Sequence, residues 1–465
     1  MTTAGKGGRD GRLPLDSPSV SFRALPRHAG WLSAWLAEWD LSVLLLLLLA
    51  DVRVFKGSSV ASFTLFELFA WCYCAPVVIG HMLSTRRLLP PLIARFVGPL
   101  GLYLAWILLA SLFALLARQH SDVLQEAKNI LPALPLVCFI GIRVKRPATV
   151  ARLANIYVLY CFAACVLALV QLEHGGPYFR PPIDNNEYKA DFSGDLVGNV
   201  VLGFASTPNE LALIVLPGLM FSAIKLAYEL RERRIPRLLT LACCAATGTV
   251  FLLAQSRGAV IWFLFGLAFL VAPTRHGRSF VLKLSLVMAL IVLIVGYGMH
   301  ADPASPEIEN TIRVRYLLWK TSLAAMASDP YVAVLGDGMA YVETWSWTIA
   351  GWEFPDAHNG WLDQALFFGW PALVLYLMIW WRFFAITDEA ANSSSIPPNA
   401  RVLLDGIRAS VLSFMGLNFF EPVAHAVFPV SQLFLLMSCG VGLAGLSARV
   451  VAAQADRQTE LPRPS

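Results

Sequence analysis

Charge is what this sequence has least of. Of its 465 residues only 14% are Asp, Glu, Lys or Arg, against 57% hydrophobic, and the mean hydropathy is +0.62. A water-soluble domain carries roughly 25% charged residues, so a soluble fold is excluded. Segments of about ten residues with alternating polarity do not recur, which excludes an outer-membrane barrel. Residues 1–40 lack the ordered basic, apolar and small-residue regions of a cleaved signal. They read as a cytoplasmic tail with an interfacial helix from Trp31 to Trp39. Cysteine is missing from every expected loop: Cys72, Cys74, Cys138, Cys161, Cys165, Cys243, Cys244 and Cys439 all fall in apolar runs, so a disulfide framework is excluded. No D-x-D, H-E-x-x-H or G-x-x-x-x-G-K-[ST] motif occurs. Metal-assisted sugar-nucleotide transfer and ATP-driven transport lose their usual signatures, and neither metal nor cofactor is called for. The net charge of +5 is spread over many loops, which argues against a nucleic-acid partner and leaves membrane lipids as the surroundings.

What is present is a succession of apolar runs long enough, or nearly so, to cross a bilayer. They are Leu41–Phe55, Ser62–Leu83, Phe96–Ala117, Ala127–Ile142, Val150–Leu172, Leu211–Ala227, Leu238–Ala254, Ala259–Ala272, Phe280–His300, Trp361–Phe384, Val402–Phe420 and Val427–Leu446. The expected fold is an all-α polytopic membrane protein of about twelve transmembrane helices. The basic residues set its orientation. With both termini cytoplasmic, 26 of the 36 Lys and Arg fall inside and 10 outside. The membrane domain is expected over residues 41–450, with residues 451–465 as a cytoplasmic tail. Two long outer loops, about 173–210 and 301–360, are candidates for function. The second holds an amphipathic stretch, Ile312–Met326, and a turn at Gly336-Asp337-Gly338.

The outer face gathers the candidate chemistry. Arg257 lies between two apolar runs in Ser256-Arg257-Gly258, a costly place for a cation unless it snorkels or serves a function. Arg313 and Arg315 open the amphipathic stretch, with Trp319 on the Arg315 face four residues on. His358 stands where the second loop re-enters the membrane, before Asn359-Gly360, which can turn tightly. Histidine is the commonest general base. Arg180, in Tyr178-Phe179-Arg180-Pro181-Pro182, is a further outer arginine. Arginines beside a histidine suit the holding of a diphosphate leaving group while a hydroxyl is deprotonated. Each residue also has a plain reading: a snorkelling or surface arginine, an interfacial histidine. Glu67 is the main ionisable residue inside a span, and no basic partner for it is evident in another span.

Four segments in order give a resemblance. They are Gly203-Phe204-Ala205-Ser206-Thr207-Pro208-Asn209-Glu210-Leu211-Ala212; Ser256-Arg257-Gly258; Arg315-x-x-x-Trp319 with Asp329-Pro330 and Gly336-x-Gly338; and His358-Asn359 followed by Gly369. Together they resemble the O-antigen ligase and polymerase superfamily of bacterial inner membranes, and its ligases most. The likeness covers roughly residues 203–376; the first third matches only as a membrane-helix pattern. Ala372 departs from the family's usual Gly, Thr or Tyr, and the link Tyr331–Leu335 is longer than usual.

The resemblance implies a GT-C-type, metal-independent, inverting glycosyltransferase of lipopolysaccharide biosynthesis. Its donor would be undecaprenyl-diphosphate-linked O-antigen. Its acceptor would be a sugar hydroxyl of lipid A–core on the periplasmic face of the inner membrane. His358, Arg257 and Arg315 would be catalytic. Arg180, Arg313, Asn209 and Asn359 would bind substrate. An O-antigen polymerase or protein O-oligosaccharyltransferase of the same superfamily stays open. So does a lipid-linked sugar flippase.

Overall fold

Long unbranched apolar runs with few interior breakers dictate helices, and in the computed structural model no strand occurs among the described residues. Those residues are 30–50, 63–85, 89–118, 122–174, 208–231, 237–253, 256–272, 278–279, 281–284, 310–336, 357–393, 396–419 and 427–459. In chain order the helices are α1 (Gly30–Ala50), α2 (Leu65–Thr85, with a π-helical turn at Ala70–Cys74), α3 (Pro91–Phe113), α4 (Asp122–Ile130), α5 (Ala133–Arg143), α6 (Pro147–His174) and α7 (Pro208–Arg231). They continue as α8 (Leu238–Leu253), α9 (Arg257–Val271), α10 (Asn310–Ser328), α11 (Pro330–Leu335), α12 (Gly360–Ala391), α13 (Pro398–Leu417) and α14 (Val427–Thr459). The chain divides into two compact units, Met1–Asp40 and Leu41–Ser465; all that follows concerns the second.

Among the described residues, six helical stretches are long and apolar enough to cross a membrane: Leu65–Thr85, Pro91–Leu116, Pro147–Val170, Glu210–Leu230, Gly360–Ala391 and Pro429–Leu446. Their outward faces carry Leu102, Leu109, Leu112 and Leu116 on one side and Val374, Leu377 and Trp381 on another, all exposed. Such continuous apolar surface is stable against acyl chains and not against water. This is a helical, membrane-embedded protein. Its last apolar stretch is the hub, with 94% of that window buried.

Several expected spans take another form. The first, Leu41–Phe55, is helical as far as Ala50, and residues 51–55 lie outside the described residues. Ala127–Ile142 is two helices, because Pro132 has no N–H to continue the ladder and a turn intervenes at Leu131-Pro132. Trp39–Ala50, Leu238–Leu253 and Gly258–Val271 are apolar but shorter. Most of Phe280–His300 lies outside the described residues. The last expected span, Val427–Leu446, is the first part of a helix that continues to Thr459. Glu67 does have a basic neighbour: Lys128 of α4 stands 3.8 Å from it. The carboxylate also closes a capping box with Thr64. Lys128 lies in the polar first half of an expected apolar run, where sequence order alone gave no reason to pair it with α2.

Proline explains the interior polar contacts of α7. Pro217 cannot donate to the Leu213 carbonyl, and Gln432 of α14 does so instead at 3.2 Å, while Tyr157 of α6 donates to the next carbonyl, Ile214, at 2.8 Å. The freed Leu213 carbonyl is therefore met by a neighbouring helix.

The packing fixes which ends meet. Helices α9 and α13 run antiparallel: Ser413 donates to the Trp262 carbonyl at 2.9 Å, Gly416 lies against Trp262, and Gly266 against Ser413 and Ala409. Likewise Gly406 lies against Phe221 and Ile224 of α7, and Gly440 of α14 against Ile407. Helices α7, α9 and α14 therefore all begin at the end where α13 stops. At the opposite end Arg278 forks onto Asp405 at 2.7 and 2.8 Å, and the buried Arg408 reaches Asp388 at 2.9 Å. Both guanidinium groups lie over the Phe269 ring.

Candidate functional site

Helix α12 is not one straight crossing. Gly369 has φ +83° and ψ +167°, and Pro371 follows in the first turn of the second half. The Trp361 ring lies 5.3 Å from that of Tyr376 and 5.6 Å from that of Trp380. In a straight helix those positions would be about 22 and 28 Å apart. Residues 360–368 thus fold back as a short arm against residues 370–391. Backbone that breaks the helical ladder is tolerated at membrane depth only where protein covers it, and here protein does. The Phe368 carbonyl accepts from the Trp106 indole at 2.8 Å, and Tyr103 donates to Gln364.

The corner is locked by a second glycine. Gly336, at the end of α11, has φ +76°. A Cβ on Gly336 would come within 2.2 Å of the Phe367 carbonyl oxygen, and one on Gly369 within 1.9 Å of the Val334 carbonyl oxygen. Two left-handed glycines, 33 positions apart in sequence, let two backbones touch. Asp329 caps α11 by accepting from the Tyr331 N–H at 2.7 Å, with Pro330 at the first helical position.

The folded-back arm lays Trp361 beside Trp380, and His358 precedes the arm by two residues, at its base. Asn359 caps the arm, its side-chain oxygen accepting from the N–H groups of Trp361 and Leu362 at 3.1 and 3.2 Å. The expected tight turn at Asn359-Gly360 is instead a helix start. Glycine suits position 360 because a Cβ would lie 2.1 Å from the Asn418 amide oxygen, and the Gly360 N–H donates to the Asn418 carbonyl at 2.7 Å. The unusual backbone is one residue earlier: His358 is half-buried with φ +47°. A non-glycine residue so placed costs on the order of 1–3 kcal/mol. Two bonds on the preceding residue offset it. The Trp319 indole donates to the Ala357 carbonyl at 3.0 Å, and the Asp363 carboxylate accepts from the Ala357 N–H at 2.7 Å. A neutral bond of about 1 kcal/mol and a charge-assisted one of about 2 kcal/mol are sufficient.

The sequence candidates distribute as follows. Arg257 is the first residue of α9, after the Ser256 cap. Antiparallel packing against α13 puts it at the end where Asn418 meets Gly360. Asn209 is in the first turn of α7, at the same end. Arg315 is half-buried one turn before Trp319, on the face that reaches Ala357. Arg313 lies in the same turn of α10. Of the side chains of Asn209, Arg257 and Arg313 nothing is described, and Arg180 lies outside the described residues. The expected loop 173–210 falls largely outside them too, and of 301–360 the parts 310–336 and 357–360 are described.

No family model matches the chain, and no curated protein is similar to it. The site must speak for itself. Four helix starts, those of α7, α9, α12 and α14, converge where α13 ends. Each brings the positive end of a helix dipole, which favours an anion, while the first-turn N–H groups of α12 are bonded to Asn359 and Asn418. One end of the bundle therefore combines the positive ends of several helix dipoles, the chain positions of three arginines and a histidine with a left-handed backbone. Sequence reasoning missed Asp363 and the part played by Trp319. Asp363 had a signal: an ionisable residue inside an apolar run.

Proposed function

We propose that this protein is an O-antigen ligase, a GT-C-type glycosyltransferase of the bacterial inner membrane that works on the periplasmic face. It moves O-antigen from undecaprenyl diphosphate to a sugar hydroxyl of lipid A–core. The observation that carries this reading is the convergence of motif residues from separate parts of the sequence. Asn209, Arg257, Arg315 and His358-Asn359 all belong to elements that meet at one end of the bundle, and Gly336 and Gly369 interlock at the far tip of the arm that His358 precedes.

In the proposed reaction His358 accepts the proton of the acceptor hydroxyl as that oxygen attacks the donor sugar's C1. The bond from C1 to the diphosphate oxygen breaks, and undecaprenyl diphosphate departs as an anion. Arg257 and Arg315 offset its charge; a guanidinium fork can hold two phosphate oxygens at once. Helix starts add fixed positive potential where charge develops. Arg180, Arg313 and Asn209 serve binding, whereas Asn359, expected to bind substrate, is fully buried and caps the arm that follows His358.

The test is reconstitution of the purified protein with lipid-linked O-antigen and lipid A–core, separately and together. Product is expected only with both. Extension of the lipid-linked chain without lipid A–core would instead identify a polymerase.

A further inference from the structure

We propose that Trp319 and Asp363 are positioning residues that act through Ala357 to hold the His358 imidazole. The inference rests on His358 being the base. The two side chains come from different elements, α10 and the folded-back arm of α12, yet both grip one residue. One takes the Ala357 carbonyl and the other its N–H. The Ala357 carbonyl belongs to the same rigid peptide plane as the His358 N–H. Fixing that plane fixes one side of the His358 φ rotation. The other side is fixed by Asn359, whose side chain is bonded to the first turn of the arm. His358 is thereby bracketed, and its left-handed backbone cannot relax.

Burial separates this from ordinary core packing. Ala357, Asn359 and Asp363 are each 0% exposed and Trp319 is 6% exposed, whereas His358 between them is only half-buried. The bracket is interior, and His358 between its members keeps partial exposure although its Nδ1 is buried. The device also joins the two halves of the proposed site, since Arg315 stands one turn from Trp319 on the same helix face. Holding Ala357 with Trp319 sets base and leaving-group arginine in one frame.

The experiment uses full-length protein in lipid nanodiscs and two readouts. The first is carbethoxylation of His358 by diethyl pyrocarbonate, mapped by mass spectrometry, which needs no turnover. The second is kcat and KM for transfer. Trp319→Phe keeps the ring and removes the N–H; Asp363→Ala removes the acceptor; Asp363→Asn keeps an acceptor oxygen. Trp319→Phe and Asp363→Ala are expected to change the rate of His358 modification. Each should lower kcat by about tenfold to a hundredfold, the scale of a misplaced reacting group, with KM near normal. Asp363→Asn should restore most of both. If Asp363→Ala fails to fold, Trp319→Phe and Asp363→Asn carry the test. A folded Trp319→Phe protein with unchanged His358 reactivity and kcat would overturn the proposal. Should His358→Ala retain full turnover, the base assignment fails, and the modification rates alone decide whether the bracket exists.

Discussion

A single imidazole carries the proposed chemistry, and its backbone complicates its own test. His358 has φ +47°, so alanine there loses the side chain and also bears left-handed strain. Asparagine and glycine accept that conformation more readily. His358→Asn and His358→Gly are expected to fold as well as the parent and to lose at least ~10²-fold in turnover. His358→Gln should fail similarly, because an amide can orient a hydroxyl but cannot take its proton. Near-normal turnover in the Asn or Gln variant would remove His358 from the base role. For the arginines, Arg257→Ala and Arg315→Ala should abolish transfer, with Lys only partly restoring it, since an ammonium cannot fork onto two oxygens. Arg313→Ala should be milder. Ligation surviving Arg257→Ala at normal protein levels would overturn the diphosphate clamp.

Among elements, the corner formed by α11 and α12 is the most demanding. Gly336→Ala and Gly369→Ala each place a Cβ about 2 Å from a backbone carbonyl oxygen and add positive-φ strain. Each is expected to cost more than ~3 kcal/mol, visible as a lowered unfolding temperature together with lost transfer. Gly98, where a Cβ meets nothing within 4 Å, is the control. At the opposite end, Asp388→Ala would leave Arg408, 1% exposed, short of a carboxylate. A loss of roughly 3–5 kcal/mol is expected, with little change in KM for whatever protein still folds. A drop in unfolding temperature no larger than that of an exposed control, Arg95→Ala, would show that the cluster contributes little.

For the whole molecule, orientation is the first matter to measure. A reporter fused after Asp191 or Asp337 should be periplasmic, and one after Arg146, Arg233 or Ser394 cytoplasmic. A cytoplasmic signal from either long loop would overturn the proposed site. Transfer should also persist in EDTA, because the sequence offers no acidic motif for a divalent cation; loss that magnesium or manganese restores would sink the metal-independent mechanism. The sequence by itself determined the helical, membrane-embedded class, since runs such as Phe96–Ala117 and Trp361–Phe384 allow few other structures in lipid. It also marked His358, Arg257 and Arg315 as residues of costly or reactive type beside or between apolar runs. Only the tertiary structure decided that the run after His358 folds back at Gly369, that Lys128 meets Glu67, and that Trp319 and Asp363 share Ala357. Hydropathy is a sum over neighbours along the chain, and it cannot register a contact between residues 33 or 61 positions apart. Such contacts are set by which backbones can approach and which freed carbonyls find donors, and those are properties of the packed bundle.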